Sequence, residues 1–262
     1  MNEQTTQEFD FKDEMIDEKI TAQQEAIENE IAREQKLISD LIKLDSLLDE
    51  YSLEDTIYRS KIIELSANFS LVRKTRGDGN CFFRAFGFRY FEAIMGKPDE
   101  VKRLKDLANK ICTDLNQLGY NSFTVDDFKD VFVEELERLA DKSDVKLLEE
   151  IFNNPGSSDY IVVFLRLIVS AYLQKNADFF LAFIETYQSM KEFCSHEVEP
   201  MYKESDHIHI IALTNALNVS VGIIYLDRTD QTEATPHNFP EDSNPNIFIL
   251  YRPGHYDIIY KN

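Results

Sequence analysis

An α+β fold, with helices first and a small sheet last, is what this 262-residue chain predicts. Three observations carry the prediction. Apolar residues recur at helical spacing from about residue 56 to residue 217. Runs rich in Val, Ile and Tyr cluster after residue 218, and residues 1–76 contain neither glycine nor proline. A chain of this length buries roughly 70% or more of its unfolded surface, so a sizeable core needs no staples.

The elements follow in order. Between residues 13 and 50 good helix formers dominate, and isoleucines fall at 16, 20, 27, 31, 38 and 42. Both interleaved series repeat every 11 residues, close to the helical period, which predicts an amphipathic helix roughly 55 Å long. Gln23, Gln24, Glu34 and Gln35 interrupt its stripe, so the first half needs a partner to be ordered. Leu44, Leu47, Leu48, Tyr51 and Leu53 are denser and are expected to pack on the domain. The predicted organisation is an acidic helical arm over residues 1–45 and one domain over 46–262. Within the domain, helices are expected over 56–69, 78–95, 99–118, 124–140, 158–173 and 176–188. The fifth is rich in Val and Ile, which leaves a strand open as the alternative. Ser205-Asp206 reads as an N-cap region for a helix through residue 217. Strands are expected over 219–226, 247–251 and 256–260, with 227–245 as an exposed loop.

Charge narrows the function. Asp plus Glu number 48 against 28 Lys plus Arg, a net of −20, and residues 1–60 alone hold 17 acids and 6 bases. Phosphate backbones demand basic surface, so a nucleic-acid binder is excluded, and an anionic membrane surface equally; proteins or peptides are the partners expected. No run approaches the ~20 apolar residues of a membrane span; the best, 161–169, carries Arg166. Cys81, Cys112 and Cys194 cannot form a complete disulfide set and include no CxxC pair. Free thiols in a reducing compartment are expected, the cytoplasm and also the nucleus.

The chemistry concentrates in two segments. Residues 76–86 read Arg-Gly-Asp-Gly-Asn-Cys-Phe-Phe-Arg-Ala-Phe, a tight glycine turn followed by an apolar helical run that opens at Cys81. A thiol at a helix N-terminus sits near the positive end of the backbone dipole, which favours the thiolate. Free N–H groups in the same turn can donate to an oxyanion. The bland reading is a glycine turn before a buried cysteine. A cysteine nucleophile needs a base, and His255 follows a Pro-Gly turn and opens a strand. Asp257 lies two residues later and projects from the same strand face, placed to hold one ring nitrogen while the other meets the thiol. The combination points to a papain-like Cys-His-Asp device.

At this point the residues resemble a known family. Asp78-Gly79-Asn80-Cys81-Phe82 with His255-Tyr256-Asp257 resembles the ovarian-tumour (OTU) cysteine deubiquitinases, and within them the otubain subfamily. Ser158-Asp159-Tyr160, 191–200 and 203–213 add to the match, and the arm fits the longer otubain type. Gly77 departs from the pattern, which has proline there. The resemblance implies an OTU-type papain-like fold, a helical subdomain plus a small mixed sheet. It implies hydrolysis of ubiquitin isopeptide bonds, with preference for the chain linkage that marks proteins for the proteasome. Carried over, Cys81 attacks, His255 is base and then acid, Asp257 orients the histidine, and Asp78 is the loop acid of the catalytic set. The amides of Asp78, Gly79, Asn80 and Cys81 form the oxyanion hole. No metal or cofactor is needed. The expected partners are ubiquitin, polyubiquitin chains and ubiquitin-charged conjugating enzymes, which the longer type also inhibits without catalysis. The alternative is a protein whose main work is that non-catalytic inhibition.

Ubiquitin offers an apolar patch ringed by basic residues, so the acidic arm complements it through Ile16, Ile20, Ile27 and Ile31. His207 and His209 have metal-like spacing but no further ligand nearby; they are expected on the ubiquitin-facing surface. Cys112 and Cys194 read as buried hydrophobes.

Overall fold

The computed structural model describes residues 23, 30, 31, 34–141, 143–229, 234 and 236–262. The chain divides into two compact units, residues 1–37 and 38–262. In the first, the Gln35 N–H donates to the Ile31 carbonyl at 2.9 Å, the repeat of a helix, and Ile31 is half-buried. Ile16, Ile20 and Ile27 lie outside the described residues.

The second unit is built on a mixed six-stranded sheet. Its strands are β1 (Ile42–Lys43), β2 (Phe69–Arg73), β3 (Val221–Tyr225), β4 (Pro236–Phe239), β5 (Ile247–Arg252) and β6 (His255–Lys261). The spatial order is β1-β2-β6-β5-β3-β4; β3 and β5 run parallel and every other pair antiparallel. Period-2 alternation splits the sheet's side chains between two cores. Ile223, Ile249 and Ile258 face the main helical layer, whereas Ile224, Leu250 and Ile259 face a smaller cluster. That smaller cluster is closed by a 3-10 strap, Leu44–Glu50, and by helix α1 (Thr56–Leu65).

The helical layer comprises α2 (Cys81–Ile94), α3 (Pro98–Gln117), α4 (Ser122–Ala140), α5 (Val145–Asn153), α6 (Pro155–Lys175) and α7 (His207–Leu217). Start signals are local: Asn121, Asp144 and Asn154 accept hydrogen bonds from the first turns of α4, α5 and α6, and Pro98 and Pro155 occupy first turns. Helix α6 resolves the open choice at 158–173. It is longer than its apolar run, with mean hydropathy 1.3, and by length and composition it could cross a membrane. Yet 72% of that window is buried inside the protein, which marks a central core helix.

Several expectations are corrected. Ile38 and Ile42 do not extend the arm's helix: Ile38 bridges Thr75 and Ile42 pairs with Val72, so the compact unit begins at residue 38 and not at 46. β-branched isoleucine has modest helix propensity, and a sheet edge with a covered face outranks it. The helix expected over 56–69 ends at Leu65, and its tail turns into β2. Residues 176–188 hold one helical turn, Ala177–Phe180, and one 3-10 turn, Leu181–Phe183. The loop expected over 227–245 contains β4.

Candidate active site

Cys81 is the first residue of α2, a helix buried on nearly every side: Phe82, Phe83, Phe86, Phe88 and Phe91 are all inaccessible. Such a helix cannot shift without disturbing the whole core, so the sulfur sits at a fixed point. The preceding turn bends at Gly79 with φ +73°, where an added Cβ would lie 2.3 Å from the Tyr202 carbonyl oxygen. Gly77 carries no such demand; a Cβ there would meet the His255 ring at an ordinary 3.7 Å.

Two buried arginines lock this turn. The Asp78 carboxylate accepts from the Asn80 N–H at 2.9 Å and from Arg84 Nη1 at 2.9 and 2.7 Å. Arg84 also donates to Ser158 and Asp159, and so ties the turn to α6. Asp78, expected in the catalytic set, holds the turn closed through Arg84. From α6, Arg166 donates to the Gly79 carbonyl at 3.1 Å, Asn80 Oδ1 at 2.9 Å and the Lys203 carbonyl at 2.8 Å. Burial pulls its guanidinium down to about 10, opposed by the charges of Asp78 and Cys81. In the sequence Arg166 reads as an interruption of an apolar run. An arginine inside such a run must find acceptors in the interior, and that was the available signal.

The four amides expected to bind an oxyanion are not equivalent. The Asp78 N–H donates to the Arg76 carbonyl at 3.0 Å and the Asn80 N–H to Asp78. The Gly79 and Cys81 amides are the two remaining candidates.

The β5–β6 hairpin delivers the base. Arg252 and His255 face each other at its end, joined by Pro253-Gly254. His255 Nε2 bonds Asp257 Oδ1 at 2.9 Å, and the nearby Cys81 thiol acts on the same ring, which leaves Nδ1 for the sulfur. Asp257 is fully buried and also accepts from the Thr75 N–H at 2.9 Å and from Arg252. Burial raises the Asp257 pKa, but His255, Arg252 and Thr75 outweigh it and hold the carboxyl below its ordinary range. Burial likewise lowers His255; the hydrogen bonds and charges of Asp257 and Cys81 overcome it and push the imidazole up to about 9. The start of α2 and the start of β6 thus bring Cys81, His255 and Asp257 together.

A cleft of about 90 Å³ opens over Cys81, lined by Tyr251, Tyr256, Glu204, Asp206 and His207. A larger groove of about 570 Å³ adjoins it, sharing Glu204, Asp206 and His207 and adding the exposed rings of Phe179 and Phe183. Among the described residues, no group of three or more His, Cys, Asp or Glu side chains could hold a metal ion.

Comparison with known proteins now bears on the site. The model of the otubain family, peptidase C65, matches residues 30–261. The chain belongs to that family, and it is a cysteine peptidase. Ubiquitin thioesterase OTUB1 of Homo sapiens is 48% identical over 245 residues, covering 94% of this chain and 90% of that protein. Ubiquitin thioesterase OTUB2 of Homo sapiens is 41% identical over 224 residues, covering 86% and 95%. The solved structure of h/ceOTUB1 with ubiquitin aldehyde and UBCH5B~Ub superposes with a TM-score of 0.88 at 36% identity, covering 95% of this chain and 99% of that chain.

This otubain disposes its remaining histidines and cysteines unequally. His207 is exposed at the cleft mouth, with its Nε2 2.9 Å from the Tyr225 hydroxyl. His209, expected beside it on a binding surface, is instead 3% exposed. Its Nδ1 accepts from the Asp206 N–H at 3.0 Å in a capping box that starts α7, and its ring packs against Phe83 and Phe193. Helical geometry separates the two: residues two apart in a helix do not share a face. Burial pushes Cys112 up to about 11 and Cys194 up to about 12, so neither thiol ionises at neutral pH.

Proposed function

We propose that this otubain is a thiol-dependent deubiquitinase that hydrolyses isopeptide bonds at ubiquitin C-termini. The observation that carries the reading is the juxtaposition of Cys81, His255 and the fully buried Asp257, with His255 bonded to Asp257 at 2.9 Å. In the reaction the Cys81 thiolate attacks the carbonyl carbon, and the Gly79 and Cys81 amides receive the oxyanion. His255 then gives its proton to the lysine amine as the C–N bond breaks, leaving a thioester on Cys81. His255 next takes a proton from water, which hydrolyses the thioester and restores the thiol. The narrow cleft admits a tail with small side chains beside the scissile bond, and its acidic mouth suits a basic one. The adjoining groove, apolar and flanked by Glu185, Glu197 and Glu204, matches an apolar patch ringed by basic residues.

The finer assignments rest on the family. They are preference for the proteasome-targeting linkage, recognition of a second ubiquitin by the isoleucines of the arm, and action in the cytoplasm and nucleus. Binding of ubiquitin-charged conjugating enzymes is supported by solved relatives captured with ubiquitin aldehyde and UBCH5B~Ub or UBC13~Ub. The test is a ubiquitin carrying a C-terminal electrophile. It should attach one-to-one to the protein, and the adduct should vanish in Cys81→Ser. Adducts that persist in Cys81→Ser, at Cys112 or Cys194, overturn the assignment. Cleavage of di-ubiquitins of every linkage then decides the preference.

A further inference from the structure

The Asp257 carboxylate lies at a closed ring of alternating charge. Its Oδ1 takes His255 Nε2 and the Thr75 N–H, both at 2.9 Å, and its Oδ2 takes Arg252 Nη2 at 2.5 Å. Arg252 Nη1 reaches Glu50 Oε2 at 2.5 Å, and Glu50 also pairs with Lys74, the residue before Thr75. The ring therefore returns to the peptide that supplies Asp257 with its amide donor. Glu50 comes from the 3-10 strap on the far face of the sheet, whereas Arg252 ends β5 and Lys74 directly follows β2. Three separate pieces of chain meet behind one carboxylate.

We propose that Arg252 and Glu50 are positioning residues of the catalytic site, Arg252 gripping Asp257 from behind and Glu50 fixing and partly neutralising Arg252 so that Asp257 Oδ1 stays directed at His255. Asp257 is fully buried, so without Arg252 its second oxygen is an unpaired anionic acceptor in the interior. Without Glu50 the positive charge of Arg252 acts undivided on Asp257. A carboxylate drawn toward an arginine is a weaker acceptor for the histidine. The chain of effect runs strap, arginine, aspartate, imidazole, and it rests on the peptidase reading above.

The sign of each change is fixed by charge. The other ionisable groups around the pair are Cys81 from α2, Glu204, Asp206 and His207 at the cleft mouth, and Tyr51 and Tyr256. All are unchanged in the variants below. Glu50→Gln removes a negative charge and should lower the His255 pKa from about 9 by roughly half a unit to one unit. Arg252→Met removes a positive charge and should move it the opposite way by a similar amount. Arg252→Met should also cut kcat on a fluorogenic ubiquitin amide by about tenfold or more at little change in KM. Arg252→Lys, which restores the charge without the fork, should return the pKa toward the wild-type value and kcat only in part.

The measurement is an NMR titration of the His255 ring in the free full-length protein, run beside kcat and KM across pH. Five histidines make the ring assignable. Shifts of opposite sign in Glu50→Gln and Arg252→Met support the proposal. A His255 pKa within about 0.2 unit of wild type in Glu50→Gln overturns it, even if activity falls, because a purely structural role lowers activity without moving the titration. Should Arg252→Met fail to fold, the titration of Glu50→Gln and the kcat of Arg252→Lys decide, a fully wild-type kcat in Arg252→Lys overturning the role of the arginine fork. If the wild type leaves the ubiquitin amide uncleaved, the deubiquitinase reading fails, while the titration still judges the ring.

Discussion

At Gly79 the presence of one methyl group separates a closed catalytic turn from an open one. Alanine there would place its Cβ 2.3 Å from the Tyr202 carbonyl oxygen and 2.5 Å from the carbonyl carbon, at a φ of +73° that side chains disfavour. Both obstacles are backbone and cannot swing aside. The turn or the Tyr202 segment must then move, and the Gly79 and Cys81 amides move with it. Gly79→Ala should slow labelling by the ubiquitin electrophile by about 10²-fold or more, the scale of losing an oxyanion donor. The fold rests on cores elsewhere, so stability should fall by only about 1–3 kcal/mol. Labelling rate and thermal unfolding read the two separately; an unchanged rate would show that the turn's shape does not matter. The nucleophile, the base and the orienting acid were legible in the sequence because each follows a local signal, a glycine turn or a strand-opening Pro-Gly. Arg84, Arg166 and Arg252 were not, since each also reaches partners dozens of residues away, Asp159, Gly79 and Glu50, and no spacing announces them.

Elements differ in the same way. Helices α2, α3, α4 and α7 were readable from apolar spacing and their caps. The sheet was only half visible: β4 is short, β2 follows closely on a helix, and β1 hides in a helix-like isoleucine series. Their strand state is created by neighbours, Val72 for Ile42 and Val221 for Phe239. Helix α7 shows what its cap requires. His209 accepts the Asp206 N–H through Nδ1 and is buried, so its neutral form is built into the helix start. Burial, the largest influence, lowers its pKa. The unfolded chain therefore takes up the proton first. The contribution is complete above the unfolded value of about 6.5 and is lost as pH falls toward the folded value. Thermal stability should decline between pH 7 and pH 5, more steeply in wild type than in His209→Gln, whose amide cannot titrate. Equal slopes would mean that His209 contributes nothing to acid sensitivity.

Over the whole molecule, acid is concentrated at one end. Residues 1–37 hold 11 acids against 4 bases, while the compact unit from residue 38 contains Cys81, His255, Asp257 and the Glu50–Arg252 ring. Ile38 is already fully buried in that unit, so a chain starting there should keep its core. Deleting residues 1–37 should then leave Tm within about 2 °C of the full chain, a change below 1 kcal/mol. The reaction with a single-ubiquitin electrophile should be unchanged, because the cleft and the adjoining groove are built from residues 81–256. Under the proposal that the arm recognises a second ubiquitin, cleavage of a ubiquitin chain should suffer. Charges at an interface rim act mainly on association rate and are screened within about 10 Å at 0.1 M salt. The loss should therefore appear as a KM raised about tenfold at low salt, narrowing toward wild type near 0.5 M as screening removes the steering. A deletion that slows the electrophile and the chain alike would instead assign the arm to the catalytic fold, and a gap that ignores salt would leave the isoleucines, not the acids, as the carriers of recognition.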